Sequence, residues 1–133
     1  MIKRLIVFST VLVVFTFTIV YLSFEQPKDK PAKKNERYYQ TILCQQLNGQ
    51  AEFRLKDKTR VDCLTDEYAI EVDWAKKWAE GIGQSLYYAE MTNKKPAVAL
   101  IVGKKDQRYL NRLQTISDKL AIKVFIIDKG LKE

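Results

Sequence analysis

Residues 59–78, TRVDCLTDEYAIEVDWAKKW, carry two short apolar runs interrupted by acids, with a polar turn between them and a lysine pair near the end. Apolar residues alternating with polar ones at period two mark half-buried strands, and Thr65-Asp66-Glu67 is placed to fold one run back on the other. If Leu64 pairs with Ala69, antiparallel partners keep a constant sum of residue numbers. Asp62 then lies opposite Glu71, and Arg60 opposite Asp73. These four side chains would share one face, while Val61, Cys63, Ile70 and Val72 take the core side. A tight turn at Lys56-Asp57-Lys58, pairing Leu55 with Thr59, would also set Glu52 beside Asp62. Three carboxylates converge in this register, with Asp73 at the margin, and a one-residue slip would disperse them.

The flanking sequence places this hairpin in a larger frame. Upstream, residues 37–48, RYYQTILCQQLN, put Tyr38, Ile42 and Leu47 at helical spacing and stop at Asn48-Gly49. AEFRL (51–55) alternates like the two runs that follow it. Downstream, residues 74–92 read as a helix and PAVALIV (96–102) as a strand buried on both faces. Tyr109, Leu110, Leu113, Ile116 and Leu120 then define a helix over 106–120, and AIKVFIID (121–128) a last strand. The order is helix, three strands, helix, strand, helix, strand: an α/β unit over residues 37–133.

Carboxylates packed together repel unless a cation balances them. Mg²⁺ or Mn²⁺ does so with oxygen ligands and can activate water beside a phosphodiester, so Glu52, Asp62, Glu71 and Asp73 are the candidate metal ligands. The plain alternative is a solvated strand face with an Arg60–Asp73 ion pair. A second pattern lies on the helix, where Lys77, Gly81, Gln84 and Tyr88 form one stripe beside an apolar stripe of Ala75, Trp78, Ile82, Leu86 and Ala89. Lys77, in the first turn, is placed to act on water or phosphate, and Gln84 to orient them. Arg60, Lys76 and Tyr88 are candidate substrate contacts.

Composition narrows the chemistry further. The chain has 133 residues, a formal charge of +7 and no histidine. Ser-His-Asp and Cys-His nucleophiles and a histidine base are thereby excluded, leaving carboxylates, lysine or a metal. With Lys3 and Arg4 set aside, 21 basic and 16 acidic residues leave a net charge of +5, which favours a phosphate polymer as partner.

The amino-terminal segment has a different character. Lys3 and Arg4 precede an uncharged, largely apolar run from Leu5 to Phe24, about 30 Å long as a helix and enough to cross a bilayer. Residues 1–24 read as a membrane anchor or, alternatively, a cleaved signal. Residues 25–36, EQPKDKPAKKNE, form a charged, Pro-containing linker whose lysines could also lie on anionic lipid. Lys28 to Arg37 would hold the domain in the cytoplasm by the positive-inside rule. Cys44 and Cys63, the only cysteines, instead suit a disulfide in an oxidising compartment, worth about 3 kcal/mol for a loop of this size, or else two unpaired thiols. The expectation is a single-pass inner-membrane protein with a periplasmic domain, or a protein secreted to the periplasm after cleavage.

The order of elements, Asp62 on the second strand, Glu71 on the third and Gln84 with Tyr88 in "QSLYY" on the next helix resemble the PD-(D/E)xK nuclease superfamily. That superfamily includes restriction endonucleases, Holliday junction resolvases and RecB-like exonucleases with a QxxxY element. The resemblance covers residues 40–103. It implies a restriction-endonuclease-like α-β-β-β-α-β core, here with a further helix and strand. It also implies a metal-dependent nuclease acting on nucleic acid, DNA foremost, with Asp62, Glu71, Lys77 and Gln84 as catalytic residues. One position departs from the pattern: Asp73 stands where the superfamily's ExK element has its lysine, making Lys77 the substitute. The alternative function is a membrane-anchored binding or structural module that keeps the fold without the chemistry.

Overall fold

The structure is a computed structural model that describes residues 34–130. The anchor or signal segment, and the linker up to residue 33, lie outside the described residues. Among the described residues no helix is long and apolar enough to cross a membrane.

Helix α1 spans Glu36–Gln46, and its amino end is capped by the Asn35 side chain, which accepts from the Tyr38 N–H at 3.0 Å. It stops where the sequence requires: Asn48 takes a left-handed φ of 51°, and the Gly49 N–H returns to the Cys44 carbonyl at 2.8 Å. Strands β1 (Gln50–Arg54), β2 (Arg60–Leu64) and β3 (Tyr68–Trp74) follow. Trp74 pairs in register with Ile101 and stacks edge-on against Tyr39. The chain therefore stays extended to Trp74, and the helix expected from residue 74 begins later. A 3-10 turn (Ala75–Lys77) leads into α2 (Trp78–Thr92), then β4 (Lys95–Val102), α3 (Gln107–Leu120) and β5 (Lys123–Asp128).

One mixed sheet of five strands results, in the order β1-β2-β3-β4-β5, with β1, β2 and β3 antiparallel and β3, β4 and β5 parallel. Residues 97–101 of β4 are wholly buried, as a continuous apolar strand covered on both faces should be. On one side Tyr39 and Cys44 of α1 pack with Ile70, Val72, Ala97, Ala99 and Ile101. On the other, Val98, Leu100 and Leu113 form a core bordered by Trp78 and Ile82.

Two expectations are corrected. Val61 does not join Cys63, Ile70 and Val72 but packs with Leu55, Ala69 and Tyr88, because the strands are irregular between Cys63 and Val61. The apolar stripe of α2 is only part of its buried face: Ala75 and Ala89 are buried and Trp78 and Ile82 border the core, but the neighbouring stripe is buried as well. Gly81, Ser85, Tyr88 and Ala89 are buried, whereas Leu86 is exposed. The stripe bearing Gly81 and Tyr88 turns inward because β3 presents acids there, and a glycine allows the helix close.

Candidate functional site

The hairpin register is the one the sequence implies. Cys63 faces Ile70, Leu64 faces Ala69, and in the first hairpin Phe53 faces Val61. The Asp62 level departs from a regular ladder. The Val72 N–H, which would meet a strand carbonyl, instead donates to Asp62 Oδ2 at 2.9 Å. Glu52 takes a left-handed φ of 56°, and the buried Gln40 of α1 fills the gap. Its Nε2 donates to Glu52 Oε1 and to the Asp62 carbonyl, both at 2.8 Å.

This irregularity redistributes the candidate residues. Arg60 does not reach Asp73; its guanidinium meets Glu52 Oε2 at 2.6 Å. With one oxygen on Arg60 and the other on Gln40, Glu52 is tied into a bracing network rather than offered to a metal. Glu71 is 6% exposed and Asp73 1%, so both acids of β3 lie beneath α2 instead of on an open strand face. Gly81 makes that approach possible: a Cβ there would stand 3.7 Å from Asp73 Oδ2 and 3.2 Å from Val98 Cγ1. From the 3-10 turn, Lys77 Nζ lies 3.0 Å from Asp73 Oδ1 and 3.9 Å from Glu80 Oε1. Tyr88 is buried among Val61 and Ala69, a packing position rather than a substrate contact. Lys76 is exposed. Cys44 and Cys63 are joined in a disulfide that ties α1 to β2 one residue from Asp62.

Burial without matching donors sets the electrostatics. Among the described residues, Glu71 Oε2, Asp73 Oδ2 and Gln84 Oε1 are buried and meet no hydrogen-bond donor. Burial, reinforced by the charges of Asp62, Asp73 and Glu36, pushes the Glu71 carboxyl up to about 9, against a partial offset from Lys77. Asp62 is raised to about 6, chiefly by burial; the Val72 N–H opposes the rise, and Glu36, Glu52 and Asp73 add to it. Asp73 is likewise raised to about 6 by burial, with Lys77 holding it down. The hydrogen bond to Asp73 in turn raises Lys77 above the ordinary lysine value. Burial and the nearby Glu71 raise the Tyr88 hydroxyl, while the Gln84 amide opposes them.

Two participants were not anticipated from the sequence. Gln40 lies one helical turn before Cys44, so a helical reading of α1 would put both on one face. Glu36, at the start of that helix, acts electrostatically on Asp62, Glu71 and Asp73 alike, and no local pattern announces it. Among the described residues no three His, Cys, Asp or Glu side chains gather tightly enough to cage a metal ion. Comparison of the chain with protein-family models, with curated proteins and with solved structures finds no match.

Proposed function

We propose that the Asp62–Glu71–Asp73 centre with Lys77 is a Mg²⁺- or Mn²⁺-dependent site for phosphodiester hydrolysis in nucleic acid, on a restriction-endonuclease-like core of the PD-(D/E)xK type. The carrying observation is that Glu71 Oε2 and Asp73 Oδ2 are buried with no donor to satisfy them. Isolated buried carboxylates cost several kcal/mol unless protonated or balanced by a cation. The donor set is all oxygen, which suits a hard cation. Mg²⁺ commonly takes one or two carboxylates and completes its shell with water and substrate phosphate, so a three-acid cage is not required. Glu71 and Asp73, with the Asp62 oxygen not committed to Val72, would hold it. When bound, such an ion supplies a nucleophilic water at neutral pH and balances charge on the phosphate.

The chain's own residues account for the remaining roles. Lys77 sits on Asp73 from a turn that is 41% exposed at its side chain, so its ammonium is open to a phosphate oxygen on one side and fixed on the other. Gln84, with its carbonyl oxygen unpaired, is available to accept from a water. Gln40 and the disulfide hold β2 so that Asp62 keeps its contact with Val72. The mixed sheet and the element order support the restriction-endonuclease-like reading, and the disulfide supports placement in an oxidising compartment on the far side of a membrane anchor.

A second reading has its own observation. Lys77 is neutralised in an ion pair with Asp73, the residue in the place of the superfamily's lysine, which favours a binding module without catalysis. One experiment separates the two: the full-length protein in non-ionic detergent is titrated with Mg²⁺ and Mn²⁺ and assayed on single- and double-stranded DNA, beside Glu71→Ala. Metal-dependent cleavage lost in the variant supports the hydrolase. Metal binding without cleavage supports the binding module, and no metal binding removes the metal centre.

A further inference from the structure

Lysines at the two ends of the parallel strands are treated differently. At the amino ends, Lys95 pairs with Glu67 at 3.0 Å and Lys94 Nζ donates to the Asp66 carbonyl at 2.7 Å. At the carboxyl ends every parallel strand runs into lysine: β3 into Lys76 and Lys77, β4 into Lys104 and Lys105, β5 into Lys129. Of these, only Lys77 has a carboxylate at ion-pair distance among the described residues. The nearest acids in sequence are turned to the backbone instead. Asp106 Oδ2 accepts from the Gly103 N–H at 2.9 Å, and Asp128 Oδ1 from the Gly130 N–H at 2.7 Å.

These loops form one continuous surface. The Lys129 N–H donates to the Val102 carbonyl at 3.0 Å, and the Lys129 Cδ lies 3.5 Å from where a Gly103 Cβ would stand. Lys129 Nζ is 5.3 Å from the centroid of the Trp74 ring, at the carboxyl end of β3 on the side turned to α1. The lysine-bearing loops thus follow neighbouring strand ends, β5 beside β4 and β4 beside β3. Three neighbouring strand ends at about 4.8 Å spacing make the row about 10 Å across.

We propose that Lys76, Lys104, Lys105 and Lys129 form the path that holds a nucleic-acid backbone as it enters the acid centre. The proposal rests on the nucleic-acid reading of that centre and assigns the surface that serves it. Lysines without carboxylate partners carry counterions that a polyanion releases on binding. A row of strand ends about 10 Å across fits a single phosphate backbone better than the plane of an anionic membrane.

The test is fluorescence anisotropy of a labelled single-stranded oligodeoxynucleotide with the full-length protein, in non-ionic detergent and EDTA so that no metal contributes. K104A/K105A/K129A is compared with K94A/K95A/K123A, which removes the same charge from the opposite strand ends. The path predicts affinity about tenfold or more weaker in the first variant and within about twofold of wild type in the second, and a slope of log affinity against log salt shallower by about 2 for the first, at about 0.7 per lysine. Equal losses in both variants, no loss in the first, or no binding by wild type would overturn it. So would a loss confined to anionic phosphatidylglycerol vesicles. Because EDTA is present, a failed metal titration removes the acid centre while leaving this result standing, and the reverse also holds.

Discussion

Strand β3 passes through two environments at once. Ile70 and Val72 turn toward α1 and meet Tyr39, Cys44 and the disulfide, an apolar side in which the packed groups satisfy one another. Glu71 and Asp73 turn toward α2, equally deep, and find one lysine and no donor for two of their oxygens. Burial therefore stabilises one face and charges the other with a cost. A protein held only by its core would have no reason to keep the second face acidic, and local conflict of this kind is where function is expected.

The sharpest break in the comparison is to make the two faces alike. Val72→Asp would bring an acid into the α1 side, among Tyr39, Cys44, Ile70 and Ala99. An unpaired buried charge on a packed strand should cost about 4 kcal/mol or more, enough to leave this small domain unfolded or nearly so. Urea denaturation followed by circular dichroism reads the loss directly. A mild effect would mean that the α1 side is as permissive as the acidic one and that the contrast is not real.

The next test relieves the acidic face. Glu71, Asp62 and Asp73 all titrate higher in the folded protein than in the unfolded chain, so the folded state binds more protons across the interval between. The stability these groups contribute to the metal-free protein should thus be fully present only below about pH 4 and fall as pH rises, the part from Asp62 and Asp73 being lost by about pH 6 and that from Glu71 by about pH 9. Glu71→Gln removes the largest part of that slope. Because the amide still needs partners, the gain at pH 8 should be about 1–2 kcal/mol, vanishing below about pH 4. Thermal melts across pH measure it, and a wild-type melting temperature that rises from pH 5 to pH 9 would reverse the assignment.

The regular parts of this structure were legible in the sequence because they repeat a simple period. TRVDCL and YAIEVD gave the correct register, and PAVALIV read as a strand covered on both sides is one. What escaped was non-periodic. Glu52 adopts a left-handed backbone and Asp62 gives a side-chain oxygen to the Val72 N–H, and together these carry Arg60 away from Asp73. Alternation assumes an unbroken ladder and cannot report its interruption. The second inward stripe of α2 escaped for a related reason: hydropathy assigns a core to Trp78, Ile82 and Leu86, and the first two do border one, yet β3 presents carboxylates beside them, and there the helix comes in with Gly81 and Ser85 while Leu86 is exposed. Gln40 could be placed beside Cys44 by helical spacing, but its task appears only once the gap it fills is known.

Gly81→Ala probes the comparison most gently, since it alters only how closely α2 lies on the acids. Alanine in a helix interior is worth up to about 1 kcal/mol over glycine. Against that, the new Cβ would meet Val98 Cγ1 at 3.2 Å, a contact tight enough that the valine must yield, and would stand 3.7 Å from Asp73 Oδ2. The two terms should nearly cancel, leaving stability within about 0.5 kcal/mol of wild type at pH 5. At pH 8 the balance should tip downward, because a methyl group beside Asp73 Oδ2 adds apolar surface next to the ionised carboxylate and raises the cost of its buried charge. A difference between the two pH values, read by urea denaturation, ties the cost to the acid rather than to packing. Equal effects at both would place it in the Val98 contact alone.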